Sequence, residues 1–472
     1  MTFPNVLVLN YLKQTKQAAP EIQLKAENYI ALGYQRLLTF EVANGGFSIF
    51  GQPPASVMLT AKGLLEFSDM AKVYPVDPAL IERTRRWLLA QQKPDGSWAG
   101  SATWDYPSGG AGDPLPLTAY VTWALLESGK KDDAGVNRAV AYLKENAARA
   151  TDPYILAILA NALVASDPND GAAKDALARL DQMKVAQADG TYWGSKVGSF
   201  TGASGVSGNV ETTALAAYAF LRAKAYPESA QRALTYMMQK KSPNGTWGTT
   251  QATILALRAL IESVLASGET TQDATVRVSF NGAEAKPIQI NRENSGVVQL
   301  VTFDDVSPGA NRVSFKVEGK GSFAYQVTTS YYLPWSLVPP MAEKDKLVDI
   351  QVAYDRTTLA VDEQVGVNVR VTLTKAGTAR MTLVDLGVPP GFTVMAEDFE
   401  ALVKSKRIAR YELAGRQIII YLEEFSSKQP VTFAYHLKAK FPLRAQTPSS
   451  TTYDYYNPDV AGTQAPLQLT VR

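Results

Sequence analysis

The chain has 472 residues, 46% hydrophobic and 19% charged, which is too long for one hydrophobic core and points to roughly two to four globular domains. Forty-seven Lys and Arg stand against 45 Asp and Glu, so no basic excess marks nucleic acid as a general partner. There is no cysteine and one histidine, His436, which excludes disulfides, thiolate metal sites and Ser-His-Asp or Cys-His chemistry in the first half.

The first residues read as mid-helix. Val6, Leu9 and Leu12 recur at helical spacing after Pro4, with no basic segment and no small-residue cleavage site. Met1 therefore reads as an internal cut in a larger protein. No apolar run reaches the roughly 18 residues that a membrane span needs.

From there to about residue 266 the chain reads as almost wholly helical, organised by one repeated phrase. A Gly-aromatic turn is followed by a Thr-Ala-rich apolar helix. Gly45-Gly46-Phe47-Ser48 precedes Leu59-Thr60-Ala61, and Asp95-Gly96-Ser97-Trp98 precedes Leu117-Thr118-Ala119-Tyr120. Asp189-Gly190-Thr191-Tyr192-Trp193 precedes Glu211-Thr212-Thr213-Ala214, and Asn244-Gly245-Thr246-Trp247 precedes Thr250-Gln251-Ala252-Thr253. Asn-Gly and Asp-Gly supply the positive φ of a tight turn, and the aromatic anchors it to the core. Such a phrase, recurring roughly every fifty residues, predicts an array of helix pairs, each burying its apolar face on the next. Ala- and Thr-rich helices suit the inner ring of an α/α toroid, and charged ones such as Ile81-Glu82-Arg83-Thr84-Arg85-Arg86-Trp87 the outer ring. Two glycine-rich loops, 99–116 and 195–209, precede inner helices and should meet at one mouth.

Past residue 270 the pattern alternates. Val276, Val278 and Phe280 share one face, with turns at Asn281-Gly282 and Ser307-Pro308-Gly309, which predicts a small β unit over 274–333. Pro334 and Leu337-Val338-Pro339-Pro340 read as a linker. Residues 347–472 alternate again, in Val348–Val352, Val365–Leu373, Gln417–Leu422 and Val431–Leu437, and read as a β-sandwich. The run Lys404-Ser405-Lys406-Arg407 reads as a solvated strand end.

This order of parts resembles the C-terminal half of the α-2-macroglobulin and complement thioester family, and its cysteine-free form resembles the bacterial branch. The best-matching stretches are Phe3–Leu12, Gly46–Gly51, Leu117–Tyr120, Thr246–Thr253, Val388-Pro389-Pro390-Gly391-Phe392 and, most specific, Tyr453-Asp454-Tyr455-Tyr456. The resemblance implies a multidomain chain: a toroid of the thioester-domain type at 1–268, a second-half CUB-like β unit with linker at 269–340, and a receptor-binding-like macroglobulin sandwich at 341–472. It implies a fragment of a protease-trapping inhibitor, not an enzyme, without cofactor or metal. Its partners would be target proteases, through the full-length parent, and upstream macroglobulin domains. It would sit in the periplasm or cell envelope, touching membrane only through an upstream lipid anchor. The family's Cys-x-Glu-Gln thioester motif falls shortly before Pro4-Asn5-Val6, and this sequence contains no cysteine to form it. Complement-like members carry an acyl-accepting histidine in the loop before the second Leu-Thr-Ala helix. Here that loop offers Ser101, Thr103, Trp104 and Asp105 at the toroid mouth. Tyr455 and Tyr456 are the expected shields of the thioester, with a β-sandwich edge strand as the structural alternative.

Other toroids stay in view. Gln91-Gln92-Lys93-Pro94-Asp95-Gly96-Ser97-Trp98 resembles the Gln-Trp repeats of triterpene cyclases, but their Asp-x-Asp-Asp motif is absent. The zinc of prenyltransferases needs Cys and His, which the helical half lacks. A toroidal carbohydrate-active enzyme needs only two carboxylates, and Asp105 with Asp113, or Glu211, are the candidates. A non-catalytic surface-binding module is the third alternative. Against these, Asp95 and Asp189 read as turn residues, Glu211 as lining an inner helix, Trp98, Trp193 and Trp247 as core anchors, and His436 as a structural strand residue.

Overall fold

Asp-Pro pairs set where several helices begin. The computed structural model describes every residue except 1, 16–19, 50, 101–104, 106–111, 130, 267–272, 292–293, 295–298, 321–324, 339–345, 380 and 423. Asp77, Asp113 and Asp152 each precede a proline, and each Oδ1 accepts from the backbone N–H two residues on, at 2.9, 3.0 and 2.9 Å. A proline at the first helical position loses no bond, and the carboxylate satisfies one orphan donor of the first turn.

The described residues of the first half form eleven helices: α1 (Thr2–Gln14), α2 (Pro20–Leu38), α3 (Val57–Met70), α4 (Pro78–Ala90), α5 (Pro114–Glu127), α6 (Ala134–Asn146), α7 (Pro153–Ser166), α8 (Gly171–Gln182), α9 (Gly205–Ala223), α10 (Pro227–Gln239) and α11 (Thr250–Ala266). Burial sorts them. In α7 eleven of fourteen residues are buried, whereas in α8 only Ala173, Ala176, Leu177 and Leu180 are, a single stripe at i, i+3, i+4, i+7. The odd-numbered helices make the inner ring and the even-numbered ones the outer. The ring is an α/α toroid. Inner α3 packs on α5, α5 on α7, and α1 packs on both α11 and α3. Between α7 and α9, Asn161 Nδ2 donates to Leu215 O at 2.9 Å.

The repeated phrase is the stitch between the two layers. The aromatic residue's own N–H donates to the threonine of the following inner helix: Phe47 to Thr60 at 2.9 Å, and Trp98 to Thr118, Trp193 to Thr213 and Trp247 to Thr253 at 3.1 Å each. Each indole Nε1 donates the other way, into the end of the preceding outer helix, to Leu88, Leu180 and Met237 carbonyls at 2.7, 2.6 and 2.6 Å. One buried tryptophan thus gives a second hydrogen bond to a carbonyl of the helix's last turn, which already accepts a backbone N–H from the residue three further on. Gly96 has φ +89°, and a Cβ there would lie 2.5 Å from Arg138 O on α6, so the turn takes glycine for both conformation and space. The α6–α7 connection lacks the phrase. There Arg179 of α8 reaches back to the Ala147 and Ala150 carbonyls at 2.9 and 2.6 Å.

Asp273–Phe280 is the central strand of a small antiparallel sheet, flanked by Val313–Lys320 and by Ile288–Ile290 with Ala283–Glu284. Asn281 and Gly282 take φ 49° and 88° in the two-residue turn that the pattern predicted. The alternation expected to continue to Leu333 forms no ladder after Lys320 among the described residues. Tyr331, Tyr332 and Leu333 are exposed, and no strand among the described residues pairs them.

The C-terminal part is a sandwich of two main antiparallel sheets. One runs, in spatial order, Arg410–Ala414, Gln417–Leu422, Thr382–Gly387, Ser450–Asp454, Asn457–Gln464; the other Phe392–Val394, Val431–Ala439, Gln364–Leu373, Val348–Tyr354. Val365, Val367, Val369 and Val371 alternate into the shared core against Ile418, Ile420 and Leu422. The basic run is not a strand end. Lys404 closes helix α12 (Ala396–Lys404), whose Glu397 and Asp398 sit in the first turn and whose Phe399 and Leu402 are buried. His436 is half exposed beside Asp398, with Nδ1 3.0 Å from Oδ2.

The stitch has a measurable cost if cut. Thr213→Val keeps the shape but leaves the Trp193 N–H buried without an acceptor. It should destabilise the toroid by about 1–3 kcal/mol, read from the urea transition by tryptophan fluorescence. A change within about 0.5 kcal/mol would show that the bond is not structural.

Candidate functional site

The starts of the inner helices share one end of the ring, and polar side chains converge there. Asp105 is buried. Its Oδ1 accepts from Ser56 Oγ at 2.5 Å and from Met58 N at 3.0 Å, so the loop before α5 is tied to the start of α3. Tyr154 at the start of α7 accepts from Phe200 N at 3.2 Å, and the Phe200 ring packs on Tyr154 and Tyr120. Ser101, Thr103 and Trp104 lie outside the described residues. Asp113 caps α5 and pairs with Arg149 at 2.8 Å, and Asp95 Oδ1 accepts from Ser97 N and Oγ. Asp95, Asp105 and Asp113 are therefore occupied as caps and turn residues. Trp98, Trp193 and Trp247 are buried too deeply to stack a sugar.

Glu211 is the charged residue at the centre of this end. It is fully buried on α9, and its Oε1 accepts from Thr201 Oγ1 at 3.2 Å and Thr249 Oγ1 at 3.3 Å. Its Oε2 has no partner among the described residues. Burial raises the carboxyl to about 7, against the pull of Ser199, Lys62, Thr201 and Thr249. Glu66 on α3 is likewise raised by burial to about 7, opposed chiefly by Lys62. Burial in turn lowers the Lys62 ammonium, which the two carboxylates oppose. One cation thus serves two buried acids.

Further along the ring axis, Arg258 of α11 is buried against Asp69 of α3, a charge-assisted bond between residues 189 apart in sequence. The guanidinium stands over Phe3 of α1 at 5.6 Å, and over Trp123 of α5 and Tyr218 of α9 at 5.7 Å each. Burial alone would raise the Asp69 carboxyl, but Arg258 and Lys72 hold it below its ordinary value. Five of the six inner helices meet on this one cation. The sequence offered no signal for it beyond an arginine in an apolar helix.

In the sandwich, Tyr455 and Tyr456 are not on an edge strand. Ser450–Asp454 pairs on both sides, and the two tyrosines form the two-residue turn to the next strand, with Asp454 opposite Asn457. Asp454 Oδ1 holds the turn by accepting from Tyr456 N at 3.0 Å and Asn457 Nδ2 at 2.9 Å. The rings meet edge to face at 5.0 Å, and Tyr455 remains 42% exposed. An aromatic tip held this way is a presented surface.

Among the described residues no cluster of His, Asp and Glu could hold a metal ion, and no helix is long and apolar enough to cross a membrane.

Two results are expected here. Asp69→Asn or Arg258→Met strands the other charge and should cost about 3–5 kcal/mol, with the double change costing less than the sum. Strict additivity in urea titrations would deny the coupling. Glu66 rises from its ordinary 4.5 to about 7 on folding, so the folded state keeps a proton that the unfolded chain gives up. Stability should therefore fall as pH rises through that interval. Glu66→Gln should flatten this part of the profile of urea midpoint against pH; an unchanged slope would remove Glu66 as a cause.

Comparison with known proteins follows the same division. The A-macroglobulin TED domain model matches residues 1–262, and the A-macroglobulin receptor binding domain model matches residues 377–465. Chicken (Gallus gallus) ovostatin is 24% identical over 477 residues, covering 96% of this chain and 31% of ovostatin, so the chain spans about a third of that relative. The crystal structure of native alpha-2-macroglobulin from Escherichia coli, from its MG7 domain to the C-terminus, matches with a TM-score of 0.64 at 15% identity, over 98% of this chain and 75% of that one. The native E. coli protein seen by electron cryomicroscopy matches with a TM-score of 0.62 at 15% identity, over 99% and 30%. These two structural likenesses speak for the fold.

Proposed function

From a chain that belongs to the alpha-macroglobulin family, we propose a part in protease trapping: the thioester-domain scaffold and terminal domain of an inhibitor. Residues 1–268 are the scaffold, 269–340 the second half of a CUB-like unit, and 341–472 the receptor-binding-like domain. The observation that carries this reading is the pair of domain matches, in the family's order, on a toroid followed by a sandwich. In the mechanism that the family implies, a protease cuts a bait segment elsewhere in the parent, the thioester domain moves, and the exposed acyl group is captured by a nucleophile on the attacker. The thioester cysteine is not among these residues, so this chain supplies the setting and not the acyl donor.

The chain's own groups suit that setting. A tightly stitched ring buries Ser199, Glu211 and Thr249, with the half-buried Thr201 hydrogen-bonded to Glu211. Asp105, tied to the start of α3, belongs to the loop in which the family's acyl acceptor would stand, and Tyr455 and Tyr456 shield the acyl group in the parent. The protein acts stoichiometrically and not as an enzyme, in the bacterial periplasm or cell envelope, with target proteases and upstream macroglobulin domains as partners.

The test uses the full-length parent with an endopeptidase. A covalent protease adduct mapping to the toroid is expected, and an unmodified parent beside an uninhibited protease would overturn the proposal. Tyr455→Ala and Tyr456→Ala should raise methylamine uptake by the untreated parent; equal uptake in both single variants and the double leaves the turn structural. The isolated chain should take up no methylamine, because it has no thiol. Label on it would refute the scaffold role.

A further inference from the structure

Glu211 ties together three segments that are separate in sequence. It sits on α9, it accepts from Thr201 in the strap that precedes α9, and it accepts from Thr249 at the entry to α11. Ser199 Oγ is 2.8 Å from Thr201 Oγ1, extends the same network along the strap and itself favours the charged Glu211 carboxylate, without outweighing burial. Both bonds fall on one oxygen, while the other is buried with no partner among the described residues. A neutral carboxyl tolerates that arrangement, but a buried carboxylate does not unless water or a cation reaches the bare oxygen.

The charges that face Glu211 are few. Lys62 faces it from α3, and Tyr120 of α5 and Tyr154 of α7 face it as neutral phenols held so by burial. From α11 it meets the Thr249 hydroxyl. Among the described residues Lys62 is the one cation acting on it, and Lys62 also serves Glu66. Loss of the Glu211 proton therefore leaves the cluster with more buried negative charge than Lys62 can compensate.

We propose that Glu211 is a proton-operated latch on the toroid mouth: protonated, it holds the strap 195–202 and the α11 entry 243–250 closed, and ionised, it admits water and lets them open. Its carboxyl is raised to about 7, which puts the transition near neutral pH. The sign follows from linkage. The closed state holds the proton and the open, hydrated state releases it, so rising pH favours opening.

Hydrogen exchange on the chain itself tests this, whether or not the parent traps proteases. After correction for intrinsic rates, peptides over 195–202 and 243–252 should lose protection between pH 6 and 8.5, by up to about tenfold per pH unit for one linked proton. Peptides over α12 should not. Glu211→Gln should stay protected across the range. Lys62→Met removes the compensating charge and should move the wild-type transition to higher pH, which keeps the test decisive if the Gln variant fails to fold. Equal pH dependence in wild type and Glu211→Gln would overturn the proposal, as would a transition that Lys62→Met leaves in place or moves to lower pH.

Discussion

A ring of helices closes only if its first and last members meet, and here they meet on a buried cation. Arg258 of α11 reaches Asp69 of α3 and lies over rings from α1, α5 and α9. Such a pair adds little net stability over an apolar substitute, because both ions give up their hydration. What it supplies is discrimination. Any slip of α11 against α3 strands two charges in a low dielectric, so one closure of the ring is favoured over its neighbours. The aromatic faces add attraction without adding charge.

The stitches hold the two layers together helix pair by helix pair. Each tryptophan joins an outer helix to the next inner helix through two donors on one residue, so the layers cannot slide independently. The first stitch uses Phe47, which keeps the backbone bond and lacks the indole one. An aromatic column then runs from Arg258 through Trp123 and Tyr120 to Phe200 in the strap. The rigid floor and the polar mouth are thereby in direct packing contact.

The described polar groups of the mouth are turned inward. Asp105 and Asp113 accept hydrogen bonds at the helix starts, and the Thr201 and Thr249 hydroxyls donate to the buried Glu211. The sandwich contributes a contrasting feature, an exposed aromatic turn fixed by one buried aspartate. Its pairing on both sides keeps the tip from fraying like an edge.

Much of this was legible in the sequence because it rests on short-range chemistry. Asn-Gly and Asp-Gly turns, the aromatic after them, and the threonine opening the next helix each act within about twenty residues, so the repeat announced the toroid. Alternation announced the sandwich strands for the same reason. The α6–α7 pair was not announced by a turn phrase, since a distant arginine, Arg179, does the work there. Helix α12 was missed because nine residues with two buried side chains give too little periodicity to outweigh the strands around them. Burial and long-range pairing belonged to the tertiary structure alone. Which arginine would meet Asp69 across 189 residues, and which of many glutamates would be stripped of water, depend on ring closure. No local pattern encodes them, because desolvation is a property of the packed whole.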